Sequence, residues 1–129
     1  MTYIRKHLKD GTVLPLPDPV GEGYLGPYME PKDQIPWQKS LEDFRDARDN
    51  YTAVRVNEIA LQLRLIEDKA ILIVGGDKDS IFYPQSYLRW QQVLPNALTI
   101  IYPKVGHYLL EDSPEEVIPM IGNFLGILG

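Results

Sequence analysis

The sequence predicts an α/β fold built around a parallel strand pair. Two short apolar runs, "AILIV" at 70–74 and "LTIIY" at 98–102, have the composition of strands. Helical patterns lie before, between and after them, so the order is helix, strand, helix, strand, helix. Strands joined through a helix imply a right-handed crossover and a parallel sheet.

The first element is a helix end over 2–10. Ile4 and Leu8 share a face, Arg5, Lys6, His7 and Lys9 are basic, and "DG" closes the pattern. His7 reads as part of an exposed basic turn with no role. Residues 11–40 hold six of the eleven prolines and read as extended, turn-rich chain with a short helix around 19–29. The apolar side chains there, from Leu14 to Trp37, are too many for a disordered linker.

"SLED" then predicts a helix start, with Ser40 as N-cap and acids in the first turn. A longer helix spans about 51–65. Its Val56, Ile59, Ala60 and Leu63 fall at i, i+3, i+4 and i+7, and Leu61 and Leu65 widen the face. The run 70–74 is continuously apolar, which suits a strand buried on both faces. A helix from Pro84 to about Leu94 and the strand 98–102 follow. "SPEE" matches a capping box, with Ser113 as N-cap, Pro114 at N1 and Glu116 at N3. The last helix runs toward Leu125, with a kink expected at Pro119.

Composition narrows the function classes. A chain of 129 residues fits one domain, and 44% apolar with 24% charged residues is ordinary for a globular protein. The net charge of −5 gives no reason to expect nucleic acid or an anionic membrane as partner. There is no cysteine, which rules out disulfides and thiolate chemistry and fits a reducing, cytoplasmic setting. No secretory leader and no run approaching a membrane span is visible.

In a parallel sheet, reactive side chains collect in loops at the carboxyl ends of the strands. The loop after 70–74 holds Asp77 and Asp79, and the loop after 98–102, "PKVGHYLLED", holds His107. Neighbouring parallel strands bring these tips together. An aspartate beside a histidine fixes the imidazole tautomer and stabilises the imidazolium, so Asp79 and His107 form a candidate acid–base pair. Either aspartate also suits the plain task of capping a turn. A calcium loop fits poorly, because Ser80, Ile81 and Phe82 follow and the ligands run out.

"LIVGGDKDSI", the spacing from Asp79 to His107, and "GHYLLEDSPEEVIPMIGNFL" resemble the C-terminal part of the α/β-hydrolase fold. "HYLLED" and the upstream "GYLGPYMEP" and "IPWQ" look most like the haloalkane dehalogenase and epoxide hydrolase branch. The resemblance implies a partial α/β-hydrolase fold: the last two parallel strands with flanking helices, plus the tail of a cap domain. Residues 1–40 would be the end of the cap and its proline-rich connection, and 41–129 the C-terminal part of the core. Asp79 would be the catalytic acid and His107 the catalytic base, with no cofactor and no metal.

The nucleophile that such enzymes carry on a strand-to-helix elbow is missing. None of Ser40, Ser80, Ser86 and Ser113 sits in G-x-S-x-G, and Asp77 lies in the acid turn. The expectation is a chain that begins after the nucleophile, inactive alone, which meets a small-molecule substrate only when an N-terminal half completes it. The rival expectation is a non-catalytic remnant that binds a partner fragment or forms a homo-oligomer.

Overall fold

The computed structural model describes residues 2–45 and 51–127. It is a mixed α/β structure. In chain order the elements are α1 (Thr2–Gly11), α2 (Asp18–Leu25), α3 (Ile35–Arg45), α4 (Tyr51–Gln62), β1 (Leu72–Gly76), α5 (Pro84–Val93), β2 (Leu98–Tyr102), α6 (Leu109–Asp112) and α7 (Pro114–Phe124). The two strands pair in parallel, from Leu72 opposite Leu98 to Gly76 opposite Tyr102. Helix α5 makes the crossover and packs on both strands.

Beyond the last strand pair, Asp77 N–H donates to the Tyr102 carbonyl at 2.9 Å and Lys78 N–H to the Val105 carbonyl at 2.9 Å. The two carboxyl-end loops are therefore laced together before any side chain is considered. Gly76 permits this. A Cβ there would stand 2.0 Å from the Val105 carbonyl oxygen.

A small core forms on the other side of the loops. Ile4 and Leu8 of α1 and Leu25 of α2 are buried together, with Leu16, Tyr28, Trp37 and Tyr108 packed against them. These aromatic and aliphatic side chains give the N-terminal segment its reason to fold back on the sheet end.

Several elements differ from expectation. Residues 11–40 are largely helical, comprising α2, 3-10 turns at Gly26–Tyr28 and Pro31–Gln34, and the start of α3. Pro19, Pro27 and Pro31 each sit in a first turn, where a missing N–H costs no helical bond. Helix α3 begins at Ile35, so Ser40 lies inside it and caps nothing. Pro36, with its fixed φ, suits the first turn five positions upstream of the expected start. Strand β1 starts at Leu72 and runs into the glycines, and Leu72 to Val74 are only half-buried. A two-stranded sheet leaves each strand one edge without a strand neighbour among the described residues. Ser113 is the N-cap of α7, but its side chain makes no capping bond; its φ of −152° and ψ of 56° also end α6. Helix α7 continues through Pro119 to Phe124.

The face of α4 is not covered by the described residues. Val56 is 58% exposed, Ile59 61% and Leu61 83%, and Leu65 just beyond is 76% exposed. Among the described residues no helix is long and apolar enough to cross a membrane.

Candidate active site

Asp79 and His107 meet. His107 Nδ1 lies 3.1 Å from Asp79 Oδ2. The Asp79 side chain is 3% exposed and that of His107 25%, so the acid is closed off and the imidazole opens outward.

Asp79 is held from both ends. Its Oδ1 accepts the amides of Ile81 and Phe82, each at 2.8 Å, which is the turn-capping role anticipated for this residue. Its Oδ2 accepts the Tyr87 hydroxyl at 3.0 Å and faces His107. Burial pushes the Asp79 carboxyl up. The Phe82 and Ile81 amides, His107 and Tyr87 outweigh burial and hold it below the ordinary carboxylate value. An ionised partner accepts only, so His107 Nδ1 carries the proton and Nε2 is left as the basic nitrogen. Asp79 thus caps its turn and contacts the imidazole at once, because the two contacts use different oxygens.

Asp77 has another task. Its Oδ1 accepts the Lys104 amide at 2.6 Å, and Lys78 Nζ approaches Oδ2 at 3.2 Å. Lys104 has φ 61°, the left-handed region that side chains seldom adopt. Asp77 pins that turn and does not approach His107 by any hydrogen bond.

The histidine loop is fixed by its backbone. His107 and Tyr108 N–H donate to the Gly11 carbonyl at 2.7 and 3.1 Å. These bonds satisfy an end carbonyl of α1 and seat the histidine loop on the C-terminal end of that helix. Gly106 N–H donates to Asp112 Oδ2 at 2.7 Å, and the same carboxylate takes Val13 N–H at 2.9 Å and Leu14 N–H at 3.1 Å. Gly106 has no room for a Cβ, which would come 2.5 Å from the Gly11 carbonyl oxygen.

Three residues join the site beyond those anticipated. Tyr87 is buried against Asp79. Asp112 ties the histidine loop to residues 13 and 14. His7, read from sequence as an exposed residue without a role, is half-buried. Its ring centre lies 6.0 Å from Trp37 and 6.5 Å from both His107 and Tyr108. Burial first, then the charge of His107, lowers the His7 proton affinity, while Asp10 raises it. The reason for the misreading is that Ile4, His7, Leu8 and Gly11 lie on one helix face, which the surrounding lysines obscure.

With a fixed tautomer, a closed-off carboxylate and an outward-facing ring edge, the arrangement is able to take a proton from a water or hydroxyl presented at Nε2. Among the described residues no group of three or more potential ligands could hold a metal ion. A cavity of about 320 Å³ lies between α1 and α2, but neither Asp79 nor His107 lines it.

The chain is similar to two curated decarboxylases. It is 26% identical over 111 residues to a cis-3-alkyl-4-alkyloxetan-2-one decarboxylase of Shewanella oneidensis, covering 86% of this chain and 35% of that protein. It is 26% identical over 110 residues to a protein of the same name from Xanthomonas campestris pv. campestris, covering 85% of this chain and 37% of the relative. The chain thus spans little more than a third of the length of the relatives it matches. No protein-family model matches it.

Proposed function

We propose that this chain carries the acid–base half of an α/β-hydrolase active site of the haloalkane dehalogenase and epoxide hydrolase type. Asp79 is the orienting acid and His107 the base. The observation that carries the reading is the 3.1 Å contact between them at the carboxyl ends of neighbouring parallel strands. In this reading residues 1–40 are the end of a cap and its connection, and 41–129 belong to the core.

The substrate class is a small alkyl electrophile. The relatives are named for an oxetan-2-one, a strained four-membered cyclic ester, which belongs to that class beside haloalkanes and epoxides. In the hydrolytic case a carboxylate from outside this chain displaces the leaving group and forms an alkyl ester. His107 Nε2 takes a proton from water as the water oxygen adds to the ester carbonyl. Collapse of the adduct expels the alkoxide, which recovers the proton from His107, and the carboxylic acid left behind releases its proton to solvent to restore the carboxylate. Asp79 stays ionised throughout and balances the imidazolium.

The test is complementation. The chain alone is expected to show no turnover of haloalkanes, epoxides, simple esters or a cis-dialkyl oxetan-2-one. Co-expression with the N-terminal half of a related hydrolase should restore turnover, seen as alcohol or halide release or as loss of carbon dioxide, and His107→Ala should abolish it. Complexes that assemble but stay inactive would overturn the proposal.

A second reading, a non-catalytic module that binds a partner fragment or a second copy, draws on the uncovered face of α4. Assembly without activity in the same experiment would favour it.

A further inference from the structure

We propose that Tyr87 is a positioning residue that sets the basicity of His107 through the oxygen the two share on Asp79. Tyr87 lies on α5, eight residues from Asp79, and its hydroxyl donates to Oδ2 at 3.0 Å. That oxygen also faces His107 Nδ1 at 3.1 Å. The two donors compete for one centre of negative charge. Whatever charge density the phenol draws is withdrawn from the imidazolium that forms when His107 takes a proton.

The contact is built in. Tyr87 is buried. Its ring occupies space that exists only because residue 75 lacks a side chain; a Cβ on Gly75 would come 2.1 Å from Tyr87 Cζ and 2.4 Å from its hydroxyl oxygen. The paired glycines at the end of β1 therefore have separate tasks. Gly76 lets the two loops touch, and Gly75 admits the phenol to the acid. Burial first, then the bond to Asp79, pushes the Tyr87 hydroxyl up to about 12, so it stays protonated and able to donate at neutral pH.

Other groups around His107 do not duplicate this effect. Phe82, at 5.4 Å between ring centres, is apolar. Tyr108 packs edge-on at 5.3 Å, and the ring of His7 of α1 lies 6.5 Å away. Among them only Tyr87 bonds the oxygen that faces His107; the Phe82 amide bonds the other oxygen, Oδ1.

The significance of this inference rests on His107 acting as a base, but its test reads protonation directly and needs no activity. His7 and His107 are the two histidines of the chain, so each is followed separately by NMR of the imidazole nitrogens during a pH titration. Tyr87→Phe removes the competing donor. The proton affinity of His107 should rise about three- to ten-fold relative to the unaltered chain, while His7 moves little. Replacing Tyr87 alone with 3-fluorotyrosine keeps the ring and makes the hydroxyl a stronger donor, so His107 should move the opposite way. A purely structural tyrosine would produce no such reversal. Gly75→Ala, which displaces the ring by a different route, should match Tyr87→Phe in direction. A His107 titration unmoved by the fluorinated residue, or shifts of the same sign in Tyr87→Phe and the fluorinated chain, would overturn the proposal. Should Tyr87→Phe fail to fold, the fluorinated chain decides by itself.

Discussion

Replacing Gly76 with alanine should separate the two loops that make the site. The new Cβ would stand 2.0 Å from the Val105 carbonyl oxygen, 2.5 Å from its carbon and 2.7 Å from the Gly106 oxygen. All three are backbone atoms, so no side chain can swing aside. Ordinary contact begins near 3.4 Å, so residues 105 and 106 must retreat by roughly 1.4 Å, the kind of shift by which overpacking costs about 1–3 kcal/mol. The retreat also breaks the 2.9 Å bond from Lys78 N–H to Val105. A lost hydrogen bond adds about 1 kcal/mol, for a total of about 2–4 kcal/mol. Urea unfolding followed by circular dichroism measures this through the transition midpoint, provided the slope is unchanged. The same movement carries His107 away from Asp79, so the imidazole should lose its single tautomer in nitrogen NMR. A loss of less than about 0.5 kcal/mol, the ordinary range of surface substitutions, with the tautomer intact, would refute the claim that Gly76 couples the loops.

Three further outcomes are expected. Because folding lowers the proton affinity of His7, the unfolded chain binds more protons below pH 6.5, the ordinary histidine value. The stability involved is present above that pH and lost as pH falls, so His7→Gln should flatten part of the acid limb of a stability–pH curve; an unchanged limb would contradict this. Asp112→Ala strands the amides of Val13, Leu14 and Gly106. It should cost about 1.5–3 kcal/mol and speed hydrogen exchange at Gly106, and unaltered exchange would show that the carboxylate is not the tether. Sedimentation across a dilution series should show concentration-dependent association, driven by the uncovered α4 face and the unpaired strand edges; one monomeric species at all concentrations would show that neither is sticky.

Much of the architecture was legible because it follows from local pattern. The run 98–102 is β2 residue for residue, and the pattern from Pro84 is α5. The meeting of Asp79 and His107 was legible for a topological reason, since parallel neighbours place both loops at one sheet end. What escaped was set by competition between signals. Ser40 and Ser113 are good N-caps by type, yet Pro36 starts α3 earlier and Ser113 is shared between two helix ends. The prolines of 11–40 read as breakers, although a proline in a first turn starts a helix as readily as it stops one. Tyr87 could not be read from spacing, since its contact depends on a missing side chain at Gly75.

The bond from His107 to the Gly11 carbonyl has a consequence for the order of assembly. Asp79 is fixed by amides two and three residues away, within a turn that closes in a single short loop. His107 is fixed by a carbonyl on the opposite arm of the chain, reached only after a very long loop has closed. Loop closure grows costlier with length, so contacts of this kind form late. The two halves of the pair therefore mature at different times: the acid is in place as soon as its turn exists, and the imidazole is seated last, when α1 docks. In pulse-labelling during refolding, the amides of Ile81 and Phe82 should gain protection before those of His107 and Tyr108. The Asp79–His107 contact would then assemble from the aspartate side and be complete only when the opening helix arrives.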